Sequence, residues 1–382
     1  MELTSKAESR NKLCVFGMSD NLGGTEVYLI TLYRAIQKYS KRDLQFDFLL
    51  NHNAGVIPYE AEILKRGGRI FREYYTRSEK RCAGYIDIHT LFDMHPEWCG
   101  VYLNVQNIHT AYRLIIEAAR RGLSYRIFHA HNSGYETAPH VKDKLYEMYF
   151  HKTSHRYVTN FLACSEDAGN WMFSDEKFEV VPDAVEFEAF RINKALRQET
   201  RKRLDISGHE IVMGFCGRLE EQKDPLFLVD VFNAFHALVT ESRLLVVGDG
   251  SLREAVQQRI YSYGLEDSVI LTGGVQDVNP YLQAMDCFVL PSRYEGFGIA
   301  LLEAEAAGLW CYTTVDVVPT EVNQTGRVSF LSKKAGAERW AAIIKEQGFD
   351  KKDCQKLLRR CPYSTEQLYK KFYEIFNLTV SK

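Results

Sequence analysis

The sequence predicts an α/β protein built as two doubly wound parallel-sheet domains facing a cleft. At 382 residues it exceeds one ordinary hydrophobic core, so two domains are expected. Short apolar runs alternate with amphipathic stretches from end to end, the pattern of strand, crossover helix, strand. The alternation breaks once, at the charge-rich stretch 186–210, as an interdomain crossover would. The expected domains are therefore 1–185 and 186–362.

The elements follow in order. LCVFGM (13–18) is the first strand, followed by Gly23-Gly24 and the amphipathic TEVYLITLYRAIQKY. LQFDFLL (44–50), GVYLNV (100–105), YRIFHA (125–130), NFLACS (160–165) and KFEVVP (177–182) continue the first half. IVMGFCG (211–217), SRLLVVG (242–248), SVILTG (268–273), DCFVLP (286–291), LWCYTT (309–314) and RVSFLS (327–332) make the second. Continuous apolar runs suit parallel strands covered on both faces. Ligands in such sheets sit at the strands' carboxyl ends.

Composition excludes several classes. Hydrophobic residues at 46% and charged residues at 26% are globular values, and the net charge of −2 gives no pull toward nucleic acid. The nine cysteines form no CxxC pair; they read as reduced core thiols of a cytoplasmic protein rather than a disulfide frame or zinc site. The N-terminus is polar, without a signal-peptide core, and no apolar run approaches a membrane span.

Chemistry concentrates in EGFGIALLE, where Glu295 and Glu303 flank Gly296, Phe297, Gly298 and Ile299. A strand precedes this stretch and a helix follows it. The glycines let backbone N–H groups approach a ligand, and a helix start favours an anion. One carboxylate beside that anion suits sugar hydroxyls and the other a ribose. The bland alternative is two solvated glutamates. Upstream, GFCGRLEEQKDP places Arg218 and Lys223 on another strand-end loop, a fork and a mobile point charge suited to a diphosphate. Here the bland alternative is neutralisation by Glu220 and Glu221. Asp224-Pro225 reads as a helix N-cap with proline at the first position.

Weaker signals complete the reading. VVGDGSLRE (246–254) reads as a packing turn, and Val275 after TGG lies either against a base or in a plain loop. Gly23-Gly24 does not match GxGxxG, yet still permits close approach. His129 and His131 share one face of a strand, but no third ligand stands at metal-like spacing, so no metal is expected. His131, at the strand's carboxyl end, suits hydrogen bonding in the cleft. The segment 64–81 holds Lys65, Arg66, Arg69, Arg72, Arg77, Lys80 and Arg81 among Phe71, Tyr74 and Tyr75; it reads as a solvated face or as a rim for anionic lipid.

GRLEEQK, VVGDGSLRE, AMDCFVLPSRYEGFGIALLEAEAAG and FHAHNS together resemble the retaining glycosyltransferases of family 4, with the GT-B fold. FLACSEDAGNWMF and VVPDAVEFEAFRIN resemble its capsular and exopolysaccharide members. The resemblance spans nearly the whole chain and is weakest over 51–100. It implies an acceptor-side first domain, with the helix at 363–382 packing back on it, and a nucleotide-sugar-binding second domain. By position, it implies that Arg218 and Lys223 hold the donor diphosphate, Glu295 lies near the donor sugar, and Glu303 holds the ribose. Amides of Phe297 to Ile299 contact phosphate or sugar, His131 lies near the reacting centre, and Gly23-Gly24 is the first glycine loop. Two departures stand out: Asp183-Ala184 where relatives have Asn-Ala or Asn-Gly, and Glu303-Ala304-Glu305 where close relatives read E-A-Q.

The expected function is then a retaining, metal-independent hexosyl transfer. The donor is a nucleoside diphosphate sugar, with UDP before GDP, and no separate cofactor is needed. The acceptor is a polyprenyl-diphosphate-linked glycan at the inner face of the cell membrane. Alternatives of other classes are a nucleotide-sugar epimerase, a phosphorylase on the same fold, and a non-catalytic partner subunit.

Overall fold

The computed structural model describes residues 12–20, 23–40, 44–50, 55–72, 74–75, 86–105, 108–131, 141–174, 176–295 and 297–380. The chain divides into two compact units, Met1–Ala184 with Thr365–Lys382, and Val185–Ser364.

The strands of the first unit are β1 (Lys12–Phe16), β2 (Gln45–Leu49), β3 (Arg69–Phe71), β4 (Tyr74–Tyr75), β5 (Ile86–Asp87), β6 (Trp98–Val105), β7 (Tyr125–Ala130), β8 (Asn160–Ala163) and β9 (Glu179–Val180). Seven form one sheet in the order β3-β2-β1-β6-β7-β8-β9, every pair parallel. β4 and β5 pair separately. Along β1, Leu13 and Val15 enter one core cluster and Cys14 and Phe16 the other, so both faces of the sheet are covered. This is why the strand reads as an unbroken apolar run rather than an alternating one.

The helix Thr365–Val380 belongs to this unit although it ends the chain. Leu368, Phe372, Ile375 and Phe376 are buried on one stripe, the three-and-four spacing of a helix face against a core. Phe372 meets the rings of Phe46 and Tyr102, and the Tyr125 hydroxyl donates to the Phe376 carbonyl at 3.0 Å. Each such fully buried apolar side chain contributes about 1.5–3 kcal/mol.

β3 lies inside the segment that the sequence presents as a basic rim. Arg69 there donates to Asp47 (Nε to Oδ1, 3.0 Å) and to Glu97 at 2.6 Å. The Trp98 indole N–H completes the buried Asp47 carboxylate at 2.7 Å. Arg66 pairs with Glu62 and Arg72 with Glu60. Three of the cations counted toward a free basic patch are therefore committed to carboxylates of their own unit. Arg77, Lys80 and Arg81, and the side chains of Tyr74 and Tyr75, lie outside the described residues.

The second unit has β10 (Ile211–Cys216), β11 (Ser242–Val247), β12 (Val269–Leu271), β13 (Cys287–Leu290), β14 (Trp310–Thr314) and β15 (Val328–Leu331). They form a parallel sheet in the order β12-β11-β10-β13-β14-β15. The chain builds outward from β10 to β12, then returns to the other side of β10 with β13. The order therefore reverses between β10 and β13, the switch point at which open α/β sheets hold ligands in a crevice outside the strands' carboxyl ends. The stretch 186–210 folds within this unit as a 3₁₀ turn, Phe187–Phe190, and the helix Lys194–Arg203.

The eight described cysteines are free thiols. Among the described residues, no helix is long and apolar enough to cross a membrane.

Candidate active site

The loops that leave β10 and β13 flank the crevice of the second unit, and they carry the two motifs. Four contacts stitch them together. The Arg293 amide donates to the Gln222 carbonyl at 2.7 Å, and Gln222 Nε2 donates to the Tyr294 carbonyl at 3.3 Å. Arg293 Nε meets Asp224 Oδ2 at 3.1 Å. Lys223 Nζ meets Glu295 Oε1. Asp224 also caps the helix Pro225–Leu238 by accepting from the Phe227 amide at 3.5 Å, with Pro225 at the first position, where its missing N–H costs nothing.

Lys223 and Glu295 are thus held face to face, their side chains only 16% and 5% exposed. Ser292, fully buried, donates its hydroxyl to the same Glu295 oxygen at 2.6 Å. Arg218 stands exposed on the same rim, with one loose contact from Nη2 to Gln222 Oε1 at 3.4 Å. Glu220 makes no ion pair with these cations among the described residues, although the Arg218 charge acts on it. Its carboxylate accepts from the Ser251 amide (2.8 Å) and hydroxyl (2.6 Å), and these bonds hold its pKa below the usual range. The VVGDGSLRE turn therefore braces the cation loop. Its Gly248 is required there: a Cβ would lie 1.9 Å from the Gly217 carbonyl oxygen.

Beyond β13, Gly298 has φ +89° and caps the helix Ile299–Ala306. This left-handed conformation suits glycine. No side chain caps this helix; the Leu301 amide donates to the Gly298 carbonyl at 2.9 Å, which leaves the Ile299 and Ala300 N–H groups without a carbonyl behind them in the helix. Gly296 lies outside the described residues. Phe297 packs on Tyr363 with ring centroids 4.3 Å apart, so its ring belongs to the core edge. Ile299 and Val275 are partly buried against the same core.

Glu303, one turn into that helix, makes no hydrogen bond or ion pair among the described residues. Burial, reinforced by Asp277, pushes its pKa up to about 7. Two residues on, Glu305 is fully buried and points to another purpose. It accepts from the Thr325 amide at 2.9 Å and from the Thr325 hydroxyl, tying the helix to the following loop. Burial raises it also to about 7.

In the first unit, Gly23 and Gly24 open the helix Gly24–Tyr39. The Glu26 carboxylate accepts from the Gly23 amide (3.0 Å) and the Ser19 hydroxyl (2.8 Å). A Cβ on Gly24 would meet nothing within 4 Å, so packing does not demand glycine there. His131 follows β7 with its side chain 6% exposed and its Nδ1 3.8 Å from Asp183 Oδ1. Burial drives His131 down to about 3 and Asp183 up to about 7, which leaves the imidazole neutral at physiological pH. His129 lies beneath, its ring 4.2 Å from that of His131, and its Nδ1 is bonded to Tyr102 at 2.6 Å. Among the described residues, no group of three side chains could hold a metal ion. Asn132 and Ser133 lie outside the described residues.

Sequence reasoning singled out neither Ser292 nor Gln222 and did not connect Asp183 with His131. Ser292 sits at the end of an apolar strand run, which was its one available signal.

Residues 197–360 match the family model of glycosyl transferases group 1. The second unit is therefore similar to the glycosyl transferases group 1 over most of its length.

The match takes in every candidate residue of the second unit. Over 371 residues the chain is 25% identical to the putative glycosyltransferase EpsF of Bacillus subtilis (strain 168), with 95% of each chain covered. Over 143 residues it is 35% identical to the UDP-Gal:alpha-D-GlcNAc-diphosphoundecaprenol alpha-1,3-galactosyltransferase of Escherichia coli, with 35% of this chain and 36% of that protein covered. Its fold is similar to that of Anabaena HepE in complex with UDP-glucose, with a TM-score of 0.71, 15% identity, and 96% of this chain and 99% of that chain covered. This is the GT-B fold, two parallel-sheet α/β domains in one chain.

Proposed function

We propose that this protein is a glycosyltransferase that moves a hexose from a nucleoside diphosphate sugar, UDP before GDP, to a polyprenyl-diphosphate-linked glycan, with retention and without a metal. The product belongs to a capsular, exopolysaccharide or other surface polysaccharide. The observation that carries the reading is the placement of Arg218, Lys223 and Glu295 on the two loops flanking the β10/β13 crevice. The E. coli relative, named for a UDP-galactose donor and a diphosphoundecaprenol acceptor, supports the donor and acceptor classes. The UDP-glucose complex of HepE supports the choice of UDP.

Breaking a glycosyl phosphate bond places negative charge on the departing diphosphate. Arg218, Lys223 and the first-turn amides after Gly298 stabilise that charge, and fixed donors are worth most where charge develops. Lys223 leaves Glu295 for the diphosphate, and Glu295 turns to the sugar hydroxyls. Glu303 accepts from the ribose hydroxyls, and Val275 lies against the base. The acceptor oxygen bonds to the anomeric carbon as the bond from that carbon to the phosphate oxygen breaks. The acceptor proton passes to the leaving diphosphate. His131, neutral, and the Gly23-Gly24 loop belong to the acceptor-side unit. The enzyme works at the cytoplasmic face, where the acceptor's lipid tail supplies the membrane contact, since Arg66, Arg69 and Arg72 are already paired.

A panel of nucleotide sugars scored by nucleotide release, with and without a lipid-linked glycan, tests the assignment. Acceptor-dependent release that survives EDTA is expected, with the anomeric configuration kept in the product. Isomerisation of the donor without acceptor, or sugar-phosphate release that requires inorganic phosphate, would replace the transferase reading. Loss of release with EDTA would require a metal.

A further inference from the structure

A cavity of about 860 Å³ lies at the opposite end of the second unit's sheet from the candidate donor crevice. Asp286, which immediately precedes β13, and Ile206 to Gly208, which precede β10, line it, together with the helix Lys194–Arg203. One strand length, about 20 Å, separates it from the loops after β10 and β13. Its charge is one-sided: Lys194, Arg197, Arg201, Lys202 and Lys351 face it, against Asp205 and Asp286.

Part of this charge has a structural task. Arg197 Nη1 donates to the carbonyls of Gln283, Ala284 and Met285 at 2.9–3.0 Å. Lys351 donates to those of Leu282 and Gln283. Both close the end of the helix Asn279–Ala284, where carbonyls lack helical partners. Asp286 has two guanidinium neighbours, Arg197 at 2.6 Å and Arg201 at 3.5 Å.

What remains is partly spent positive charge. Arg201 is 6% exposed; its Nη2 donates to the Glu210 carbonyl and faces Asp286, while its buried Nε–H has no partner among the described residues, and a buried unpaired donor on a cation is costly. Lys194 and Lys202 stand exposed at the rim, without carboxylate partners among the described residues. Burial holds Lys351 down to about 7, and Arg197 and Arg201 add repulsion. Ile192, Ile206 and Phe349 supply an apolar wall. The volume is that of a small-molecule site.

We propose that this cavity binds a small phosphorylated ligand, with Arg201, Lys202 and Lys194 on the phosphate and the apolar wall against its organic part, as a site separate from the donor crevice. A guanidinium and two ammonium groups match a phosphate dianion, and exposed Asp205 can accept hydroxyl donors from a sugar.

Calorimetry on the full chain tests this with three probes: inorganic phosphate, pyrophosphate and glucose 6-phosphate. At least one is expected still to bind the Arg218→Ala variant, whose donor crevice is impaired, and in that background to be weakened about tenfold or more by Lys202→Glu and by Arg201→Gln, the loss of one charge-assisted contact. Lys202 is on the surface, so its variant decides the matter even where Arg201→Gln perturbs folding. Tighter binding of glucose 6-phosphate than of both inorganic anions identifies a phosphate ester; equal binding identifies the free anion. No binding of any probe to the Arg218→Ala variant up to about 10 mM, or binding to it that is indifferent to Lys202→Glu, overturns the proposal.

Discussion

Lys223 and Glu295 form an ion pair across the two loops that flank the β10/β13 crevice, and Ser292 fixes the Glu295 carboxylate from beneath. The pair puts the group proposed for the diphosphate in contact with the one proposed for the sugar. It also gives each a partner while neither is engaged elsewhere. In the proposed reaction Lys223 gives up this carboxylate for the diphosphate oxygens, which its three donors can meet.

Removing either cation should therefore be felt in the chemical step. Lys223→Ala and Arg218→Ala are each expected to lower turnover at least ~100-fold, the scale of losing one preformed donor to a developing anion. Steady-state nucleotide release checks this; wild-type turnover in both variants would remove the diphosphate role.

Glu303 gives a pH signature. Its pKa of about 7 comes from burial and Asp277, and hydroxyl donors on a nucleotide favour its ionised form. UDP affinity should then fall as pH drops below about 7, beyond the part due to phosphate protonation near pH ~6. Glu303→Gln should flatten that extra slope and weaken binding about tenfold or more at about pH 8. Calorimetry at about pH 6 and 8 on both proteins decides; equal slopes would deny Glu303 the ribose.

Glu305 is expected to act on stability alone. Its folded pKa is raised to about 7 from the ordinary 4.5. Its contribution is therefore full below about pH 4.5, is lost as pH rises, and is gone above about pH 7. Glu305→Gln keeps an acceptor for Thr325 without the ionisation. The variant should exceed wild type by on the order of 2–3 kcal/mol at about pH 8, and the gap should close near pH ~4.5. Thermal melts across that range test it; a gap that does not vary with pH would contradict it.

Phe372, 2% exposed against Phe46 and Tyr102, should be a strong anchor of the final helix. Phe372→Ala is expected to cost the first unit about 3–5 kcal/mol, read by denaturant unfolding. A loss under about 1 kcal/mol would mean that the helix is not part of that core.

Much of this was legible in the sequence, for a physical reason. Parallel strands buried on both faces write continuous apolar runs, so β1, β10, β11, β13 and β14 stand out, and with them the α/β fold. β3 did not. It is three residues long, begins with Arg69, and owes its place to Asp47 and Trp98 far along the chain. The motif around Glu295 stands out in the sequence as a glycine loop between an apolar strand run and a helix, and the structure sets that loop against Lys223. The pairing of Lys223 with Glu295, and the approach of His131 to Asp183 at 3.8 Å, were not legible. Each depends on strand order, which spacing along one chain does not encode. Glu305, readable only as a departure from E-A-Q, gains its meaning from Thr325, twenty residues on.

The diphosphate assignment is tested most directly by comparing UDP with uridine in calorimetry on wild type, Arg218→Ala and Lys223→Ala. Each substitution is expected to weaken UDP about tenfold or more while leaving uridine unchanged, because only UDP carries the charge that these residues meet. UDP affinity equal to wild type in both variants, or an equal loss for UDP and uridine, would contradict it.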